Sequence, residues 1–363
     1  MIPVIDVSVD SELLEEIKKN VSRVIDSKAY ILGNELEKFE NKFAVINRTK
    51  YAIGVGNGTD ALRLILRGLK IGQGDKVLTT SLTSPFTAIA IIEEGAIPVF
   101  CDVDENTWTI NPVDIVKNID KKVKAIMPVH IYGNPAHMSQ INKIARSYKL
   151  KVIEDACQAH LAQINNIPVG NWSDAAAFSF YPTKNLGAMG DAGAVVTNNT
   201  QLAKQIRILR HGGQTKKFWH KYKGFNSRLD EIQAAILSTK LKRLKRHNDK
   251  RAQIATAYRY ELADLPIFFQ STVPGSISAN HLFIIRTKHR NKLQDYLLRN
   301  GIVTGIYYPY PVHFQPAFKK YQTAPLPVTE QMTKELLALP LYPNLSIQNQ
   351  GKVIKAVKSF FKR

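Results

Sequence analysis

From residue 51 onward the chain alternates short apolar runs with segments that carry the helical period. The runs at 51–55, 76–79, 97–103, 125–129, 152–153, 175–180 and 194–197 read as strands, and the segments at 60–69, 86–93, 138–148 and 202–209 read as helices. Strand, helix, strand repeated in this way predicts an α/β fold with a mainly parallel sheet covered on both faces, and ligands of such sheets gather at the carboxyl ends of the strands. Two helices, near 13–25 and 35–43, precede the alternation. A polar, glycine-punctuated stretch at 210–227 reads as a long loop, and 229–244 as one helix leading into a second unit. That unit has a strand at 282–286, a helix at 292–300, a tyrosine- and proline-rich loop at 307–316 and a terminal helix at 348–361. The expected division is a large domain over 1–240 and a smaller α+β domain over 241–363.

Composition narrows the class. The 363 residues are 44% hydrophobic, enough for a normal core. No basic-then-apolar leader and no apolar run of membrane length stands out, so the cytoplasm is the expected location and no membrane partner is expected. Two cysteines, Cys101 and Cys157, are too few for a disulfide scaffold or an all-cysteine cluster, and the histidines show no H-x-x-x-H or H-E-x-x-H pair, so no metal site is expected. The formal charge of +20 suits anionic partners. Its densest run, KLKRLKRHNDKR at 240–251, has helical spacing and reads as a solvated helix face. Without zinc-finger or RNA-binding signatures it does not point to nucleic acid.

Three stretches carry candidate chemistry. After the apolar run 175–180 comes Tyr181-Pro182, then Lys184 on a turn followed by Gly187, Gly190 and Gly193. A partly desolvated lysine there has the nucleophilicity for a Schiff base; the alternative is a surface lysine on a glycine-rich turn. GVGNGTD at 54–60 ends a strand and opens a helix, which offers free N–H groups to a phosphate. It fits neither the dinucleotide fingerprint nor the Walker motif, and a plain helix cap explains it equally well. VIEDA at 152–156 puts acids at a strand end, with Gln158 close behind. Ser179 is either a phosphate donor or a buried serine.

Taken together, GNGTDAL at 56–62, VIEDACQAH at 152–160, SFYPTKNLGAMGDAG at 179–193 and GFNSRLDEIQAAIL at 224–237 resemble the DegT/StrS-type nucleotide-sugar aminotransferases. The resemblance extends to ILGNELEKFENKFA at 31–44 and YYPYPVHFQPAF at 307–318. It implies a fold type I enzyme that uses pyridoxal 5'-phosphate and works as a homodimer with shared active sites. It makes Lys184 the Schiff-base lysine, Asp155 the partner of the pyridinium nitrogen and Gln158 a donor to the phenolic oxygen. Gly58, Thr59 and Ser179 would hold the phosphate, joined by Asn226 from the other subunit. Two positions depart from the family pattern. TSPFT at 83–87 replaces T-F-x-A-T, leaving Phe86 as the aromatic expected to stack on the cofactor, and His160-Leu161 stands where His-Gly is common. His313 and Tyr308 are the residues expected near the sugar, and Lys221 and Lys223, on a rim also supplied by Arg210, Lys216, Lys217 and Arg228, near its diphosphate. The implied reaction moves an amino group from L-glutamate to a nucleotide-linked keto-sugar, for amino-sugar biosynthesis. Two other classes remain at this point: a dehydratase-like relative, against which Lys184 and the cysteine count argue, and a non-catalytic regulator of the same fold.

Overall fold

The computed structural model describes residues 1–322 and 324–362. Its centre is a seven-stranded sheet in the order β1-β9-β8-β5-β4-β2-β3. The strands are β1 (Tyr51–Val55), β2 (Lys76–Thr80), β3 (Ile97–Cys101), β4 (Val123–Ile126), β5 (Lys151–Asp155), β8 (Ala175–Ser179) and β9 (Gly193–Thr197). All pairs are parallel except those of β9, which runs antiparallel to both β1 and β8. Successive side chains of a strand point to opposite faces, and the two cores divide accordingly. Ala176, Phe178, Ala194 and Val196 join the core under α2 (Asn34–Asn47) and α8 (Glu231–Leu241), whereas Ala175, Ala177 and Val195 join the one under α3 (Gly58–Gly68) and α7 (Thr200–Arg210). The alanines of β8 let helices sit close to the strand that leads to Lys184.

Four further helices complete this part: α1 (Ser11–Ser27), α4 (Phe86–Glu93), α5 (Pro112–Lys117) and α6 (Met138–Tyr148). Helix α1 starts where Asp10 accepts from the Leu13 N–H at 2.8 Å, a side-chain N-cap. Gly33, at the start of α2, has no side chain to do the same. A small ribbon joins β6 (Gln163–Ile164), β7 (Ile167–Pro168) and β13 (Ser276–Ile277), so residues on either side of position 240 pair directly.

The expected loop at 210–227 contains a short hairpin, β10 (Gln214–Lys216) with β11 (Trp219–His220). Its polar and aromatic side chains lack the apolar alternation that marks a buried strand. The single helix expected over 229–244 is two, α8 and α9 (Leu244–Glu261), with Leu241 and Leu244 both buried at the break. The basic run is not wholly solvated either, because Arg251 is buried with Nη1 donating to the carbonyls of His281 (3.3 Å) and Leu341 (3.0 Å).

The C-terminal core forms around an antiparallel sheet, β12 (Phe268–Phe269), β14 (Phe283–Arg286) and β15 (Leu336–Leu339), with α9, α10 (Arg290–Arg299), α11 (Pro327–Glu335) and α12 (Ile347–Phe361). Ile2 belongs to this core: its N–H donates to Gly301 (2.8 Å) and its carbonyl accepts from Val303 (2.9 Å). The chain therefore begins beside its C-terminal part before entering α1. Among the described residues no helix is long and apolar enough to cross a membrane, and no cluster of three or more metal-ligating side chains forms.

Candidate active site

The site is built where β5, β8 and the start of α3 meet. On β5, two consecutive acids go to opposite faces. Glu154 is a structural acid: it meets His130 Nε2 at 2.9 Å and accepts from the Gly170 N–H (3.0 Å) and Ser173 Oγ (2.7 Å). Asp155 turns the other way, toward a cavity of about 830 Å³. Its carboxylate is held from two sides, by Thr87 Oγ1 at 2.8 Å and the Cys157 N–H at 3.2 Å. Thr87 stands on α4, so the first turn of that helix orients an acid from a different strand.

Lys184 lies just past β8, on a turn closed by its own N–H donating to the Tyr181 carbonyl at 2.8 Å. The turn is tight enough that a Cβ on Gly187 would fall 2.2 Å from the Pro182 oxygen. Burial pushes the lysine's pKa below the ordinary value, against the opposing pull of Cys157 and Asp155. This is the environment of a nucleophilic or proton-carrying amine, and the solvated surface alternative does not describe it.

The third wall is the N-terminus of α3. Asn57 caps it by accepting the Asp60 N–H at 2.8 Å, and among the described residues nothing accepts from the N–H groups of Gly58 and Thr59. Gly58 is pressed against its neighbours: a Cβ there would lie 2.8 Å from both Cys157 Sγ and Ser179 Cβ. Glycine thus keeps open a cradle with two free donors at the positive end of a helix dipole, suited to a phosphate.

Gln158 Oε1 is taken by the Tyr132 N–H at 2.7 Å, which turns Nε2 to the Tyr308 hydroxyl at 3.3 Å. Burial raises the Tyr308 pKa to about 12, so its phenol stays protonated at neutral pH. A half-buried lysine, an oriented carboxylate and a helix N-terminus with free N–H groups, all facing one cavity, match the donor set that pyridoxal phosphate requires.

The comparisons agree with this geometry. The DegT/DnrJ/EryC1/StrS aminotransferase family matches residues 11–358. The chain belongs to that family. A dTDP-3-amino-3,6-dideoxy-alpha-D-galactopyranose transaminase of Aneurinibacillus thermoaerophilus is 44% identical over 361 residues, 99% of each chain. A pleiotropic regulatory protein of Geobacillus stearothermophilus is 40% identical over 370 residues, again 99% of each. The crystal structure of S. venezuelae DesV in complex with a ketimine intermediate superposes with a TM-score of 0.97 at 41% identity, over 100% of this chain and 99% of that one.

Of the residues expected from the sequence of this aminotransferase-family chain, the structure gathers Gly58, Thr59, Phe86, Asp155, Gln158, Ser179, Lys184 and Tyr308 around the cavity. Phe86 is 57% exposed at the first position of α4. The others lie elsewhere. His313 is fully buried away from the cavity lining, with Nδ1 2.6 Å from Ser81 Oγ and Nε2 3.4 Å from Glu330, which leaves its ring no access to a sugar in this chain's own cavity. Asn226, Lys221 and Lys223 are exposed on the hairpin segment, outside this cavity. Arg210 is not on a rim at all: it is buried, paired with Glu40 and bonded to the Gly54 carbonyl at 2.8 Å. Sequence reasoning assigned no role to Thr87 and did not single out His281. Thr87 was visible only as the end of TSPFT, and His281 comes from a segment nearly a hundred residues after Lys184.

Proposed function

We propose that this chain transfers an amino group from L-glutamate to a keto-sugar linked to a nucleoside diphosphate, with pyridoxal 5'-phosphate as cofactor, as a homodimer in the cytoplasm. The observation that carries the reading is the joint placement of half-buried Lys184, oriented Asp155 and the free N–H groups of Gly58 and Thr59 around one cavity. When bound, pyridoxal phosphate supplies a conjugated electron sink that stabilises negative charge at the substrate carbon.

The chain's own residues do the rest. Gly58, Thr59 and Ser179 would hold the phosphate, Gln158 the phenolic oxygen, and Phe86 one face of the ring. Asp155 would keep the ring nitrogen protonated, and Thr87 keeps that carboxylate in place. Lys184, with its pKa lowered by burial, would carry a proton between the substrate carbon and C4′ of the cofactor. The nucleotide sugar follows from the transaminase relative. Besides Lys184, the acidic and basic side chains on the cavity wall are the carboxylic acids Asp60, Glu93, Asp155 and Asp191, with His281, so one chain supplies little attraction for a diphosphate. Cations from a second copy, Lys221 and Lys223 with Asn226, complete the site in this reading. In this reading the chain divides into two domains near residue 240, with Tyr307 and Tyr308 of the smaller one closing the cavity over the large sheet.

The test is amination of a panel of nucleotide-linked keto-sugars with glutamate as donor, followed by absorbance and by sugar product. The wild type is expected to turn over and Lys184→Ala to lose both the visible cofactor band and turnover. Unchanged turnover in Lys184→Ala would end this reading. A regulatory role is favoured by the names of two relatives, the Geobacillus pleiotropic regulatory protein and a sensory transduction protein of Saccharopolyspora erythraea, and by the charge of +20; intact Lys184, Asp155 and Gln158 in one cavity support catalysis.

A further inference from the structure

One buried ring on the cavity wall has no task in the mechanism above. His281, just before β14, is 4% exposed, and its backbone is pinned by its N–H donating to Tyr132 (2.9 Å) and its carbonyl accepting from Arg251 (3.3 Å). Its Nδ1 lies 3.1 Å from Asn185 Oδ1. The orientation of that amide is fixed from its other end, because Asn185 Nδ2 donates to the Ala279 carbonyl at 2.7 Å and to Asn248 Oδ1 at 2.9 Å. Asn248 in turn uses its own Nδ2 on the His160 carbonyl at 2.8 Å, so neither amide can flip without setting oxygen against oxygen. Asn185 therefore presents an acceptor, and His281 Nδ1 must carry the proton.

The other nitrogen, Nε2, is then a bare lone pair with no hydrogen bond among the described residues, on a ring that lines the cavity. The ring stays uncharged, first because it is buried and then because Lys184, Arg251 and His160 stand around it. A neutral lone pair repels carboxylate and phosphate oxygens and accepts from a hydroxyl. Resting on the reaction proposed above, we propose that His281 Nε2 accepts a hydrogen bond from a hydroxyl of the acceptor sugar on the Lys184 side of the cavity, and so selects a keto-sugar that is hydroxylated beside its carbonyl. A buried acceptor that loses its donor is left unpaired, which is how a site rejects a deoxy analogue.

Two measurements test this. In protein labelled with ¹⁵N-histidine, the His281 ring, assigned by its absence from His281→Phe and His281→Gln spectra, is expected to show Nδ1 protonated and Nε2 bare at neutral pH. A ring protonated at Nε2, alone or in both positions, overturns the proposal. In the holoenzyme, His281→Phe is expected to raise KM for the hydroxylated nucleotide-linked keto-sugar roughly 10- to 100-fold more than for the analogue deoxy at the adjacent carbon. Asn185→Asp, whose carboxylate would hold the imidazole in its doubly protonated form, is expected to repeat that selective loss. Equal losses with the hydroxylated and deoxy sugars, or a loss confined to the glutamate half-reaction, overturn it. If the wild type aminates no nucleotide-linked keto-sugar, the proposed function falls and the selection with it, while the ¹⁵N spectrum still reads the tautomer.

Discussion

His160 shows what a single side chain in this core costs. Its ring is buried against Phe178 and Phe180, with centroids 5.4 Å and 5.7 Å away, and neither nitrogen makes a hydrogen bond of normal geometry. Burial and the nearby Lys184 lower its pKa from 6.5 to about 3, only weakly opposed by the Ser179 backbone. The folded state therefore holds the neutral ring while the unfolded chain takes up a proton below pH 6.5, so stability falls with pH from there down to about 3. Between pH 7 and pH 4 this one residue should remove about 3 kcal/mol. In urea titrations, His160→Leu is expected to lose distinctly less stability than the wild type over that interval; equal losses would show that the ring is protonated in the fold. The next residue, Leu161, has φ of 62°, in the left-handed region that glycine adopts at least cost. Its partly buried side chain packs on the core beneath β8 and offsets the strain of that conformation.

At the scale of elements, α2 is started by a residue far from it in sequence. Gly33 offers no side-chain cap, and Glu231, the first residue of α8, takes its place: Oε1 accepts from the N–H groups of Gly33 (2.8 Å) and Leu36 (3.1 Å), and Oε2 from Glu35 (2.7 Å). The negative charge sits at the positive end of a helix, in a buried position. Glu231→Gln keeps the size but turns an N–H toward N–H groups that need an acceptor. It is expected to cost about 2 kcal/mol, read as a lower urea midpoint at unchanged slope. A midpoint equal to wild type would mean that the α2 N–H groups find other acceptors. Since α8 also packs on α1 and α2, this acid links the two resembling motifs at 31–44 and 224–237 through one contact.

For the whole molecule, the decisive question is whether one chain makes a working site. Asn226 and the hairpin lysines lie outside the cavity of their own chain, while that cavity has acids at Asp60, Glu93 and Asp191 and little cationic wall. Mixing inactive Lys184→Ala with inactive Asn226→Asp chains is expected to restore part of the activity, because one of the two sites in a hybrid dimer then combines both intact residues. Recovery is followed by turnover after subunit exchange has been verified by mass; exchange without recovery would count against a shared site. The surplus of positive charge lies mostly in residues 241–363, none of whose lysines or arginines lines this cavity.

The sequence by itself determined the main strands and helices of the large sheet, because strand and helical periods are local properties, and it brought out residues that the fold gathers around one cavity, because they stand in short motifs at strand ends. Lys184, Asp155, Gln158 and the α3 N-terminus were legible in this way. Other features depend on contacts between distant residues, and only the tertiary structure decided them. The antiparallel course of β9, the capping of α2 by Glu231, the support of Asp155 by Thr87 and the docking of Ile2 on the C-terminal core leave no local trace. The same reason explains the misplacement of His313 and Arg210, whose polar side chains read as available until the fold supplied Ser81, Glu330 and Glu40 as partners. It also explains His281, whose protonation is set by two asparagine amides that only the folded chain brings together.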